Sequence, residues 1–272
     1  MCSCIAKVYQ LAVATFSRKT PSESVKKNLD LLIAQANKLL ADDVGLDKCS
    51  VLQGGTTNFD GLPRAPVTYI PLSETKDLSM GIFVIREGQA IPLHDHPHMH
   101  GIVKCLTGKL KITSFSKKVL LGDIFSYLSF PHSCVQELQP SGLAVPERIR
   151  SSRALVRQLQ EEELFLAEQV LPDLTLGPDS GCCVLGPHKS NIHRIESVGG
   201  TAAFLDILAP PYNIDPPAYA EDRQERDCHY FRVLSESGGE PGQRWLLTSH
   251  PPASFFCDTE AYMGPSLGDE AD

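Results

Sequence analysis

The chain has 272 residues, 42% of them hydrophobic, and its 33 acidic and 25 basic side chains give a formal net charge of −8 at pH 7. This length and composition predict one large domain with extensions, or two small domains, with enough apolar material for a sizeable core. The acidic balance argues against nucleic acid as the main partner. No apolar run approaches the ~18 residues of a membrane span, so no membrane partner is expected. Nine cysteines, without a secretory pattern at the start, predict reduced thiols in the cytosol or nucleus.

Two helices are predicted at the start of the chain. Residues 1–22 are amphipathic, with three basic side chains and no acid. This pattern favours an ordinary first helix, with a mitochondrial transit peptide as the alternative. Residues 22–40 place apolar side chains at helical spacing, and Ser22 is the predicted N-cap. We therefore expect a helical extension and loop over residues 1–64, packed outside the main domain.

From Val67 the pattern changes to short apolar strands separated by turn residues. The strands predicted in the first half are 67–72, 78–85, 91–96, 102–106 and 109–115. A charged stretch over residues 136–178 then predicts an insertion that is partly helical. The second half of the barrel is expected after it, with segments at 182–185, 186–193, 202–212, 227–232 and 244–247. Short strands without intervening helices are typical of a barrel or jelly roll, so we expect one such domain over residues 65–265 and a disordered tail over 266–272.

The segment 91–108 is the densest chemical feature of the chain. It contains four histidines within seven residues: His94, His96, His98 and His100. Residues two apart on a strand face the same side, so His94 and His96 form half of a metal site suited to iron, zinc, copper or nickel. Pro97 cannot donate to a sheet ladder, which predicts that His98 and His100 lie in the following turn. The alternative is a surface tract that binds metal adventitiously.

The spacing from the His-x-His pair to Gly108 resembles the first metal motif of the cupin superfamily. Most metal-binding cupins have a Glu ligand at the position of Gly101, so a carboxylate ligand is missing here. Among cupins, the thiol dioxygenases use three histidines and no carboxylate. The resemblance implies an all-β fold, the cupin double-stranded β-helix, a jelly-roll-like barrel with the N-terminal helices packed outside.

Four segments in order resemble the family of cysteamine (2-aminoethanethiol) and N-terminal-cysteine dioxygenases, which is related to the plant cysteine oxidases. They are residues 91–97, 191–193, 204–212 and 227–230. The family implies an Fe(2+) ion held by His94, His96 and His193. Spacing alone leaves the third ligand open, with His188 as an equal candidate. Weaker candidates are His132, His229 and His250.

The resemblance implies a reaction in which both atoms of O2 are added to a thiol. Cysteamine would give hypotaurine, and a protein with an N-terminal Cys would gain a Cys-sulfinate. In this family the second product feeds the Arg/Cys N-degron pathway, so the enzyme acts as an oxygen sensor in hypoxia. We expect a monomer in the cytoplasm, with the nucleus and mitochondria as further locations. The alternatives are a non-catalytic metal-binding cupin scaffold and a free-cysteine dioxygenase. The latter would need a cation such as Arg194 or Arg232 for the substrate carboxylate.

Four further residues are catalytic candidates. Asp206 lies in an apolar run, where an ionised carboxylate is costly unless paired, and it is suited to orienting the amine that both substrates carry. Tyr212 is a pocket candidate by the resemblance. Cys228 and Tyr230 are two apart and would share a strand face, and such a pair can form a thioether in this family. The alternatives are a structural Asp held by backbone N–H groups, a Tyr packed beside prolines, and an ordinary buried Cys beside a core Tyr.

Overall fold

The computed structural model describes residues 3–52, 57, 61–120, 164–213, 226–237 and 241–268. Two helices, α1 (Cys4–Phe16) and α2 (Ser22–Ala36), precede two short 3-10 helices at Ala41–Val44 and Leu46–Lys48. The strands of these residues, β1 to β12, are Val67–Glu74, Ser79–Ile85, Ala90–Asp95, His100–Thr107, Leu110–Leu120, Leu164–Leu176, Cys183–Leu185, Ile192–Ser197, Ala202–Ala209, Tyr230–Ser237, Gln243–Ser249 and Cys257–Thr259. The predicted all-β class is confirmed.

The strands form two sheets. The first has the order β12-β1-β2-β9-β4-β7, and the second, β10-β11-β6-β5-β8-β3, closes on itself where β10 meets β3. Apolar side chains from both sheets meet between them, including Val103 and Phe204 from the first and Ile112 and Ile195 from the second. Because side chains alternate along a strand, every second residue of β8 and β9 faces this shared interior. In β3 an irregularity between Ile91 and His94 brings both of these residues to the same face.

The two helices cover the outer face of the first sheet. Ile5, Val8 and Leu32 pack there against Ile82 and Leu205 and are fully buried or nearly so. This contribution of α1 to the core supports the interpretation of residues 1–22 as an ordinary first helix. Within the part of the chain that the structure describes, no helix combines the length and apolar character needed to cross a membrane.

Helix α2 differs from its prediction at both ends. Pro21, not Ser22, is the N-cap residue, and its carbonyl accepts a hydrogen bond from Ser24 N at 2.9 Å. The Ser22 prediction is therefore wrong, because the cap here uses no side-chain oxygen. At the other end the helix stops at Ala36, and Leu39 N bonds back to Ala36 O in a tightened final turn. Leu40, beyond this turn, is 60% exposed.

The segment from residue 164 also differs from its prediction. It was expected to belong to an insertion, but Leu164–Leu176 is a barrel strand that pairs with β5 and β11. Its first residues are apolar and buried, whereas Glu168 reaches solvent and pairs with Lys118 at 2.6 Å. The acidic run before it obscured this strand, whose first four residues form a continuous buried apolar stretch. Residues 136–163 of the predicted insertion, and 269–272 of the predicted tail, lie outside the described residues.

Candidate metal centre

Two of the predicted ligands face each other across a strand pair. His94 on β3 lies directly opposite His193 on β8 in the antiparallel register. Residues paired in this way project to the same face with their side chains in contact. The centroids of the two imidazole rings are 4.7 Å apart, and both side chains are buried. The pairing of β3 with β8 thus joins two histidines that are 99 positions apart in the chain.

The third histidine is held by a side-chain clamp, because β3 ends one residue before it. His96 N donates to Asn191 Oδ1 at 3.2 Å, and Asn191 Nδ2 donates back to His96 O at 2.5 Å. This reciprocal pair turns His96 towards β8, where its Nε2 lies 3.0 Å from His193 Nε2. The ligand atoms of His94, His96 and His193 all lie within 4.8 Å of one another.

The other histidines that the structure describes lie outside this group. His188 packs its ring edge-on against His98 at 5.8 Å, and both are exposed. His98 is in the predicted turn, with a φ of 60°. His100 is not in the turn as predicted but begins β4, because the backbone has already re-entered the sheet opposite Ala209. His132 lies outside the described residues.

Hydrogen bonds fix which nitrogen of two rings carries the proton. His94 Nδ1 lies 2.8 Å from Pro92 O, which can only accept, so Nδ1 is protonated. His96 Nδ1 lies 2.7 Å from the Tyr212 hydroxyl, and that hydroxyl donates its proton to Asp95 O at 2.6 Å. Tyr212 therefore accepts from His96 Nδ1. In both rings the Nε2 lone pair is left for a ligand, as in metal-binding histidines.

The electrostatics of the group suit a cation. Burial lowers the pKa of His94 to about 4 and holds the pKa values of His96 and His193 well below their usual range, so all three are neutral at pH 7. His96 Nε2 and His193 Nε2 lie 3.0 Å apart, and in the metal-free group His193 Nε2–H can donate to the lone pair of His96 Nε2. Among the described residues, His193 Nδ1 has no hydrogen-bond partner. A buried, neutral three-nitrogen donor set fits a transition-metal ion.

The packing around Gly101 gives a steric reason why this chain lacks the Glu ligand that most metal-binding cupins have at this position. It lies on β4, on the same face as Val103 and Cys105 of the inter-sheet core. A Cβ atom built at Gly101 would lie 2.5 Å from Leu185 Cδ1, which is closer than real contacts allow. The side chain of Leu185 thus fills the space in which a longer residue at position 101 would begin.

Asp206 lies inside the same interior. On β9, Ala202 and Phe204 belong to the inter-sheet core and the intervening residues to the helix-covered side, so alternation places Asp206 between the sheets. Its side chain is buried, and Oδ1 has no hydrogen-bond partner within the described part of the chain. Burial raises the pKa of this carboxyl to about 7. The alternative structural role, a carboxylate satisfied by backbone N–H groups, does not account for the unpartnered oxygen.

The remaining three candidates form one cluster beside His94 and His96. Tyr230 opposes His94 in the strand register, with ring centroids 6.2 Å apart. Cys228 precedes β10 instead of lying on it and is exposed, unlike the buried Cys of the alternative, and its thiol interacts with the hydroxyls of Tyr212 and Tyr230. Burial raises the pKa of Tyr230 to about 12 and that of Tyr212 well above its usual range, and the neighbouring Cys228 adds to both increases. Both hydroxyls are therefore neutral at pH 7.

Sequence reasoning missed two supporting residues. Asn191 was noted only as part of a motif, and its clamp on His96 depends on a contact across 95 positions. Asp95 lies between two histidines, and its carboxylate accepts a hydrogen bond from His229 N at 2.8 Å. Strand alternation in His-Asp-His could have placed Asp95 on the opposite face, but its partner is visible only in the fold.

The two-sheet barrel and its buried three-histidine group define a cupin of the three-histidine type. A family model described as PCO_ADO matches residues 36–267. The chain belongs to this family. It is 34% identical to the 2-aminoethanethiol dioxygenase of Homo sapiens over 89% of this chain and 82% of that protein. The corresponding Mus musculus protein is also 34% identical, over 98% of this chain and 97% of the relative. Plant cysteine oxidase 1 of Arabidopsis thaliana is 24% identical over 87% and 72% of the two chains.

Proposed function

We propose that this chain is an iron(II)-dependent thiol dioxygenase that acts on cysteamine and on N-terminal cysteines of proteins. The buried group of three neutral histidines is the observation that carries the proposal. It matches the donor set expected from the family resemblance, and the 2-aminoethanethiol dioxygenases among the relatives support cysteamine as a substrate. In the overall reaction, a thiol and O2 give a sulfinic acid, with both oxygen atoms bound to sulfur and no external reductant consumed.

The donor set determines which form of the substrate is favoured. Three neutral imidazoles leave the positive charge of a bound dication uncompensated, so the pocket favours a thiolate over a neutral thiol. Fe(II), when bound there, would supply the one-electron chemistry that allows O2 to react with sulfur. The chain's own contribution is to hold His94 and His96 in the correct tautomer, through Pro92 O and the Tyr212 hydroxyl.

Asp206 supplies the contact to the other end of the substrate in this proposal. Cysteamine and an N-terminal cysteine both carry an amine two carbons from the thiol. The unpartnered Asp206 Oδ1, on the face between the sheets, is suited to accept a charge-assisted hydrogen bond from that ammonium group. An ammonium nearby favours the ionised carboxylate and opposes the effect of burial on its pKa. The same carboxylate would repel the carboxylate of free cysteine.

The alternative of a free-cysteine dioxygenase receives no support from the two arginines that were its candidates. Arg194 follows His193 on β8 and so faces away from the histidine group, where it pairs with Glu196 at 3.3 Å. Arg232 is exposed. This arrangement favours substrates without a free carboxylate next to the amine.

Oxygen consumption by iron-loaded protein tests the proposal. Cysteamine and a Cys-initiated peptide should be oxidised, and free cysteine should be a much poorer substrate. Mass spectrometry of each product should show the addition of two oxygen atoms. His193→Ala is the matched negative control, since it removes one donor of the group. Stoichiometric iron without oxygen uptake on any thiol would favour the non-catalytic scaffold instead.

Two broader roles follow if the activity holds. Because O2 is a substrate, the amount of oxidised N-terminal cysteine would depend on oxygen supply, which would make the chain an oxygen sensor for the Arg/Cys N-degron pathway. We also propose a monomer in the cytoplasm or nucleus. Titration of product formation against dissolved O2, and sizing of the purified protein, test these points.

A further inference from the structure

The contact between β10 and β3, which closes the second sheet, is very small. The register between β10 and β3 consists of Tyr230 opposite His94. One position further, Asp95 and His229 are joined by three hydrogen bonds. Asp95 N donates to His229 O at 3.1 Å, and His229 N donates to Asp95 Oδ1 at 2.8 Å. His229 Nδ1 lies 3.3 Å from Asp95 Oδ2. These contacts continue the closure where the strand pairing ends.

Along the chain, Asp95 and His229 each lie between two candidate site residues. Asp95 lies between His94 and His96, and its carbonyl accepts the Tyr212 hydroxyl. His229 lies between Cys228 and Tyr230. The His229 imidazole lines a cavity of about 650 Å³ whose lining residues do not include the histidine group. The pair therefore contacts the site through the backbone while its side chains lie behind it.

We propose that Asp95 and His229 form a latch that holds Cys228 and Tyr230 in position against the three-histidine group. In this role His229 is a positioning residue. The physical reason is that the His229 imidazole orients the Asp95 carboxylate, which then accepts a charge-assisted hydrogen bond from the backbone N–H of His229. Without the imidazole the carboxylate loses one of its two donors in His229, its bond to the backbone weakens, and the start of β10 can separate from the metal centre.

His229→Ala tests the latch, with His229→Asn as the matched rescue variant, because an Asn amide can donate from nearly the position of His Nδ1. His250→Ala is the control, since His250 is an exposed histidine just after β11. The first measurement is amide hydrogen exchange over residues 226–232 in the metal-free protein. The second is the EPR spectrum of the iron-loaded protein with nitric oxide as a probe, together with kcat and KM for cysteamine.

We expect His229→Ala to bind iron normally, to exchange amides at the start of β10 faster than the wild type, and to show a changed nitric oxide spectrum. Its kcat/KM should fall roughly tenfold, the lower end of what loss of a supporting contact costs at metal sites. His229→Asn should restore most of the exchange protection and activity, and His250→Ala should match the wild type.

The latch is refuted if His229→Ala shows wild-type exchange and a wild-type spectrum, or if His229→Asn fails to restore protection. If His229→Ala does not fold, Asp95→Asn replaces it. That variant keeps an oxygen for His229 N but loses the charge, and unchanged exchange would refute the charge-assisted contact. The activity measurement rests on the proposed function, whereas the exchange measurement does not. Failure of the wild type to oxidise thiols would therefore leave the latch test intact.

Discussion

Asp206→Asn offers a test of the buried carboxyl through the stability of the metal-free protein. Burial raises the pKa of Asp206 from 3.8 to about 7 in the folded chain. A carboxyl with a raised folded-state pKa favours folding most at low pH, where both states are protonated. Its contribution is lost as pH rises from about 4 to about 7, because the unfolded chain ionises first. Above pH 7 the loss of stability due to this carboxyl no longer changes with pH.

The size of the effect follows from the pKa difference. Each unit is worth about 1.36 kcal/mol, so a difference of about three units destabilises the folded wild type by about 4 kcal/mol above pH 7. Between pH 5 and pH 8 the free energy of unfolding of the wild type should fall by about 3 kcal/mol, whereas that of the Asn variant should not show this fall. The comparison across pH is preferable to a single value, because an unsatisfied amide at position 206 has its own cost of about 1–3 kcal/mol at every pH.

Urea unfolding of chelator-treated protein at pH 5 and pH 8 measures this difference. Asp30→Asn, which changes an exposed aspartate on α2, is the control and should follow the wild type. Equal pH dependence in the wild type and Asp206→Asn would show that the carboxyl is not buried in an unfavourable setting, and would remove the basis for its function. If the reasoning holds, the same variant should retain iron but lose turnover of cysteamine and of a Cys-initiated peptide.

Three further predictions concern the site. His193→Ala should lose iron, measured by metal analysis, and with it thiol oxidation, whereas His98→Ala should keep most of both because its ring lies outside the group. Tyr212→Phe removes the acceptor of His96 Nδ1 and should weaken iron binding roughly tenfold in a competition titration, with unchanged affinity contradicting the role of that hydrogen bond. Turned-over enzyme should contain a Cys228–Tyr230 thioether, seen as a tryptic peptide short of two hydrogens that is absent in Cys228→Ser; its absence from the wild type would mean that no link forms.

The sequence by itself determined the features that depend on local periodicity. Alternating strands from Val67 onward predicted the all-β class, and the two-residue spacing predicted that His94 and His96 lie together, although His96 follows the end of β3 and is held by Asn191. Both follow from backbone geometry that a few neighbouring residues specify. Local rules were less successful at boundaries. Ser22 looked like a cap by residue type, but a proline can begin a helix without one, and the acidic run at 161–163 hid the strand that begins at Leu164.

Only the tertiary structure decided which distant residues join His94 and His96. His188 and His193 were equal candidates from spacing, and the antiparallel register of β8 against β3 places His193, not His188, opposite His94. Asn191 and His229 likewise meet their partners across 95 and 134 positions. Such contacts depend on how two sheets close around a shared interior. That closure is set by the burial of many side chains together, and no short segment of sequence encodes it.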